Sequence, residues 1–163
     1  MYRFEYAKKE ELVALLPKLF EILHSNMSLI APTGSSYEDD FEEWCAKVYP
    51  AVMTTVREIV VMYDDSNIIG YFQYYINNGV FMMEEIQIKQ EYQGGGVFSA
   101  FYSWLIQGLP MALQTVEAYA SKLNGKSQSI LEHLGLSQIG ENKNGSLYHY
   151  VGEYKKLHDK YNK

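Results

Sequence analysis

In the stretch Ile88-Lys89-Gln90-Glu91-Tyr92-Gln93-Gly94-Gly95-Gly96-Val97-Phe98-Ser99-Ala100, three consecutive glycines separate a strand-like run that ends at Ile88 from a helix-like run that begins near Val97. Glycines at such a junction remove side chains where backbone N–H groups can turn outward together, and a helix start adds partial positive charge at the same point. The junction is therefore suited to hold a phosphate. Taken without its surroundings, a bare glycine cluster reads first as a flexible turn with no ligand, and only its context on both sides favours a phosphate.

Working outward, the chain punctuates itself clearly. Residues 2–6 alternate as a first strand, and residues 10–25 place Leu12, Leu15, Leu16, Leu19, Phe20 and Leu23 on one helical face. Pro17 should kink that helix or mark its first turn. Ser36 is placed to cap a second helix carrying the acidic residues Glu38, Asp39, Asp40, Glu42 and Glu43, which reads more readily as a solvated face than as a substrate funnel. Residues 58–63, 68–76 and 80–89 read as three antiparallel strands joined by the Asp64-Asp65-Ser66-Asn67 and Asn77-Asn78-Gly79 turns. A helix over 97–107, a strand over 116–120, a helix over 124–134 and two short strands over 136–140 and 146–151 come next, and residues 154–163 read as a polar tail, a short or frayed helix. This order describes an α+β protein: a mixed, mostly antiparallel sheet with helices on both faces. No Pro/Gly/Ser-rich stretch divides the 163 residues, so one domain is expected.

Composition narrows the function classes. A net charge of −6 and a pI near 5.2 argue against a nucleic-acid partner, which needs clustered Lys and Arg, and make a cationic partner electrostatically easier. No apolar run approaches the length of a bilayer span, and there is no charged-then-apolar leader, so a cytoplasmic protein is expected. The lone cysteine, Cys45, has no metal-spaced partners, and His24, His133, His149 and His158 show no ligand spacing; no metal site is expected.

The glycine junction and the segment after it resemble the GNAT superfamily of N-acetyltransferases. There, a hydrophobic strand end leads through a short link to Gln or Arg, two residues, Gly, one residue, then Gly or Ala. The second half, Val116-Glu117-Ala118-Tyr119-Ala120, Asn124-Gly125-Lys126-Ser127 and Ile130-Leu131-Glu132-His133-Leu134-Gly135-Leu136, is similar to that superfamily's next strand and helix, in the branch that includes ribosomal-protein N-terminal acetyltransferases. Together these cover about residues 80–140.

The resemblance implies a GNAT-like acyl-CoA N-acyltransferase fold whose sheet splays between the fourth and fifth strands, with acetyl-CoA as co-substrate in the wedge. The N–H groups of Gln93, Gly94, Gly95, Gly96, Val97 and Phe98 would hold the diphosphate, Ile86 and Ile88 would pair with the pantetheine arm, and Asn124 would border the cofactor. Phe98 replaces the motif's last small residue, and either crowds the diphosphate or turns into the core. The implied reaction is acetyl transfer to a small-molecule amine or a protein N-terminal amine by direct attack, with a carboxylate or water removing the amine's proton. Glu84 and Glu85 lie on the strand that carries the acetyl group; Glu84 shares parity with Ile86 and Ile88, the apolar face by the period-2 rule, and is the first choice, with Glu117 a third. The tyrosine that many members use as general acid is Leu131 here. Ser127 is the substitute, or else a first-turn residue completing the cap begun by Asn124. Leu131 and Phe98 also permit a degenerate acyl-CoA-binding module. Exposed sheet edges and many aromatics make a homodimer plausible.

Overall fold

Two short side chains start two of the helices. The Ser36 hydroxyl accepts from the Asp39 N–H at 3.1 Å to open α2 (Tyr37–Thr54), and the Asn124 side chain accepts from the Ser127 N–H at 3.0 Å to open α4 (Gly125–His133). Each satisfies an amide that the first turn of a helix leaves without a partner. In the computed structural model, which describes residues 1–162, the remaining elements are β1 (Tyr2–Tyr6), α1 (Leu12–Met27), β2 (Glu58–Asp64), β3 (Asn67–Asn77), β4 (Val80–Ile88), α3 (Val97–Gly108), β5 (Thr115–Ser121), β6 (Ser137–Glu141), β7 (Leu147–Glu153) and α5 (Tyr154–Tyr161). Pro17 lies inside α1, beyond its first turn.

Strand pairing runs in the order β1-β2-β3-β4-β5-β7-β6. β1 lies antiparallel to β2, from Tyr2↔Asp64 to Tyr6↔Val60. The β3–β4 turn uses Asn78 and Gly79, at φ of 49° and 79°, the two positive values a type I′ hairpin needs. β4 and β5 form a parallel pair over only four positions, from Val80↔Thr115 to Met83↔Ala118. β5 then pairs antiparallel with β7 along its whole length, Thr115↔Glu153 to Ser121↔Leu147. This is the mixed, mostly antiparallel sheet expected from the sequence.

The described residues gather into two compact units, each discontinuous along the chain. The first holds residues 1–73 and 85–98. Its core packs Leu12, Leu16 and Leu19 of α1 and Val48 and Val52 of α2 on Ile59, Val61 and Tyr71 of the strands. Each such aliphatic side chain contributes about 1.5–3 kcal/mol on leaving water. The second unit holds residues 74–84 and the chain from Ser99 onward. There Phe101, Tyr102, Leu105 and Ile106 of α3 are buried, as are Val116, Ala118 and Ala120 of β5.

The C-terminal segment forms the short helix expected of it, but docks by an apolar stripe rather than standing free as a polar tail. Tyr154, Leu157 and Tyr161, spaced i, i+3, i+7, are all buried, and the Tyr161 ring lies 5.3 Å from that of Tyr102. One apolar stripe on a helix of eight residues docks what its charged residues on the other side disguise. The parity argument for β4 also needs correction. Phe81 and Met83 are buried and Val80, Met82 and Glu84 half-buried, but both Glu85 and Ile86 are half-buried, and Gln87 and Ile88 are then buried consecutively. The alternation breaks after Met83, so Glu84 lies with the less buried set, and a period-2 count from Ile88 does not reach it.

Candidate functional site

The glycine bend is built in three short steps. A turn of 3-10 helix at Gln90–Tyr92 comes directly after β4, closed by hydrogen bonds from the Tyr92 N–H to the Lys89 carbonyl (2.9 Å) and from the Gln93 N–H to the Gln90 carbonyl (3.1 Å). The Gly95 N–H then donates to the Tyr92 carbonyl at 3.4 Å. Gly94 and Gly96 take φ of 81° and 89°, in the left-handed region, and α3 begins at Val97. A Cβ added at Gly94 or Gly96 would meet nothing within 4 Å. These two glycines are therefore required by backbone conformation and border open space. Gly95 is different: its φ is ordinary, and an added Cβ would rest 3.5 Å from the Tyr92 carbonyl oxygen.

The amides of Gln93 and Gly95 thus serve the turn itself, a correction to the expectation that all six amides from 93 to 98 face a diphosphate. The Gln93 side chain also turns inward, donating to the Ile88 carbonyl at 2.9 Å. What remains suited to an anion is the left-handed Gly94 and Gly96 with the first turn of α3, where helix geometry leaves amides without carbonyl partners. That fits a diphosphate held by backbone. Val97 is buried and Phe98 half-buried. The bend is bordered by Tyr2, whose hydroxyl donates to the Gly95 carbonyl (3.4 Å), and by Tyr92, whose hydroxyl donates to Asp64 (2.8 Å). The Tyr92 hydrogen bond and then the Met1 ammonium hold the Asp64 carboxyl below the usual range.

In the same unit the end of β4 carries a polar relay. The Gln87 amide donates to the Glu85 carboxylate at 2.5 Å, and the Asn26 amide on α1 donates to the Gln87 side-chain oxygen (2.9 Å) and the Ile88 carbonyl (3.0 Å). The Ile88 carbonyl thus accepts twice. Tyr71 on β3 is 0% exposed, and its hydroxyl has no hydrogen-bond partner among the described residues. Burial, and secondarily the Glu85 carboxylate, hold the Tyr71 proton far above the ordinary phenol range.

The second unit holds Glu84, Asn124 and Ser127. Asn124 and Ser127 meet in the α4 cap, so the first-turn role foreseen for Ser127 is filled by its amide. Leu131, where the general-acid tyrosine would stand, is buried. Glu117 on β5 meets a residue that sequence reasoning passed over: its Oε1 lies 2.8 Å from Nε2 of His149 on β7, and the Tyr119 ring stacks on the imidazole with centroids 4.4 Å apart and planes at 10°. The two positions are 32 apart in sequence, and only the β5–β7 register brings them together. Among the described residues no group of three His, Cys, Asp or Glu side chains could hold a metal ion, and no helix is long and apolar enough to cross a membrane.

No family model matches this sequence, and no curated protein matches it in sequence either. Solved structures do. An acetyltransferase from Thermus thermophilus superposes with a TM-score of 0.71 at 16% identity, over 94% of this chain and 97% of that one. The fold is that of the GNAT acetyltransferases. Two further structures share it: spermidine N-acetyltransferase from Vibrio cholerae in complex with CoA and spermine (TM-score 0.62, 16% identity, 96% and 97% covered), and ribosomal-protein-S5-alanine acetyltransferase from Vibrio fischeri (0.62, 20%, 93% and 92%). At such identities the GNAT likeness is one of architecture, and activity has to be argued from this chain's own residues.

Proposed function

We propose that the protein is an acetyl-CoA-dependent N-acetyltransferase that moves the acetyl group to a primary amine by direct attack in a ternary complex. The observation that carries this reading is the bend at Gly94 and Gly96, left-handed at both glycines, open where side chains would stand, and continuous with the first turn of α3. Its likeness in fold to enzymes named for acetylating spermidine and a ribosomal-protein alanine supports the same conclusion and suggests two acceptor classes, a small-molecule amine or a protein N-terminal amine. When bound, acetyl-CoA supplies an activated thioester.

Each part of the site has its own task. Gly94, Gly96 and the amides of Val97 and Phe98 hold the diphosphate, with Gln93 and Gly95 shaping the bend behind them. Because the Ile88 carbonyl already accepts from Gln93 and Asn26, the pantetheine arm pairs upstream of it, at Ile86. Asn124 fixes the start of α4, and the Ser127 hydroxyl is the donor available there for the departing sulfur. The carboxylates available for proton removal from the acceptor, directly or through water, are Glu84 and Glu85 on β4 and Glu117 on β5. The net charge of −6 favours the approach of an ammonium. A cytoplasmic setting suits both the donor and the free Cys45.

A second reading, an acyl-CoA-binding module without turnover, is favoured by the buried Leu131 in place of a tyrosine. Incubation with radiolabelled acetyl-CoA and a broad amine panel, alongside melting curves with acetyl-CoA, separates the two. Acetylated product supports the enzyme. A raised Tm with no product supports the module, and no change in Tm at millimolar acetyl-CoA removes both.

A further inference from the structure

We infer that His149, held by Glu117 and stacked on Tyr119, is the group that takes the proton from the acceptor ammonium. This rests on the acetyltransferase reading and moves the proton-removal step from the carboxylates named there to the histidine that one of them holds. The geometry lies within the second unit. Antiparallel register sets Tyr119 opposite His149, and parallel register sets Glu117 beside Met82 of β4. Phe81, Met83, Val116 and Ala118 are buried on one face of these strands. Met82, Glu84, Glu117 and Tyr119 share the other face, which is half-open, and Tyr119 is 42% exposed. Glu84 is the first residue beyond the last paired position, Met83↔Ala118.

Chemistry assigns the ring nitrogens. An ionised carboxylate can only accept, so the hydrogen shared at 2.8 Å belongs to His149 Nε2. In the neutral ring, Nδ1 then carries the lone pair. The side chains of His149 and Glu117 are 20% and 21% exposed, sheltered enough for the carboxylate to compensate the imidazolium charge and open enough to release a proton to water. The Tyr119 face restrains the ring from turning. An imidazole is by its chemistry a stronger base than a carboxylate. Glu84 has a different task on this face, supplying the negative charge that draws the ammonium to the ring. The titratable neighbours of the imidazole are Glu117 and Tyr119 on β5, while the residue opposite it on β6, Gly140, brings no charge.

The step balances. An N–H bond of the ammonium breaks and Nδ1–H forms. The neutral nitrogen then bonds to the acetyl carbon as the C–S bond breaks, its second proton goes to the departing sulfur, and His149 returns its proton to solvent. One ammonium and one thioester give one amide, one thiol and one proton.

The test uses the full chain, with spermidine and an alanyl peptide as acceptors. Histidine-selective ¹⁵N NMR, without acetyl-CoA, should find His149 as the Nε2–H tautomer, with Nδ1 responding to added acceptor. His149→Gln should lower kcat/KM about 100-fold and flatten the acidic limb of its pH profile, while the Tm rise with acetyl-CoA stays as in wild type. Glu117→Gln, nearly isosteric, should lose the tautomer preference and keeps the test valid should His149→Gln fold poorly. An Nδ1–H tautomer, or activity of His149→Gln within threefold of wild type, overturns this inference and leaves the acetyltransferase reading standing. Binding of acetyl-CoA by wild type with no acetylation of either acceptor or of the wider amine panel overturns that reading, and this inference with it.

Discussion

Alanine at the three glycines of the bend should give two kinds of protein. Gly94 and Gly96 sit at φ of 81° and 89° with nothing within 4 Å of an added Cβ, so the cost of alanine there is backbone strain alone. That strain is about 1–2 kcal/mol for an L-residue in the left-handed region. In a chain of this length 1 kcal/mol moves Tm by about 2–4 °C, so each variant should melt roughly 2–8 °C below wild type without ligand. Gly95 has ordinary φ, and its added Cβ meets the Tyr92 carbonyl oxygen at 3.5 Å and the Tyr2 hydroxyl at 3.8 Å, both normal contacts. Gly95→Ala should therefore match wild type or gain about 0.4–1 kcal/mol by restricting the unfolded chain. Acetyl-CoA at a hundred times its Kd should add about 2.7 kcal/mol to wild type. If the methyl at position 94 or 96 weakens diphosphate binding tenfold, about 1.4 kcal/mol of that gain disappears. Differential scanning calorimetry of the four proteins, with and without acetyl-CoA, reads both effects. Unshifted melting of Gly94→Ala and Gly96→Ala without ligand would refute the left-handed bend, and an equal acetyl-CoA shift in all four would refute the bend as the anchor of the diphosphate.

Gly70→Ala would put a Cβ 2.5 Å from the Gln87 carbonyl oxygen and 3.0 Å from the Met62 sulfur, contacts that require backbone to move, so a loss of about 3 kcal/mol or more by urea denaturation is expected. Tyr154→Phe removes a buried hydroxyl that has no hydrogen-bond partner among the described residues, and should leave the urea midpoint unchanged or raise it. Tyr92→Phe should lower Tm at pH 7. Asp64 is held below its usual value chiefly by the Tyr92 hydroxyl, so its contribution is present above about pH 3.9 and lost as pH falls through the lower folded value. The Tm difference between Tyr92→Phe and wild type should accordingly shrink in acid, and a difference constant from pH 7 to pH 2 would refute the assignment.

Local chemistry was legible where one residue type has one physical use. Ser36 and Asn124 announced two helix starts, Asn78-Gly79 a hairpin, and Gly94-Gly95-Gly96 the bend before α3. Where several residues act together, the sequence was ambiguous. Nothing in the string Glu84-Glu85-Ile86-Gln87-Ile88 reveals that alternation breaks after Met83, because the break depends on what the neighbouring strand and α1 demand of Gln87. Tyr154, Leu157 and Tyr161 did carry a helical spacing, masked by the lysines and aspartate between them. His149 carried no signal by itself. Its meaning comes from the β5–β7 register, a long-range pairing that no local pattern encodes.

β6, at the end of the pairing order, slips register against β7 between Gln138 and Gly140, and its Ile139 is exposed. A strand arriving along that border would find donors and acceptors out of step with its own. Continuation of the sheet from molecule to molecule is thereby obstructed at this side despite an oily side chain in plain view. Any self-association through this border would have to proceed by side-chain packing rather than by a shared ladder.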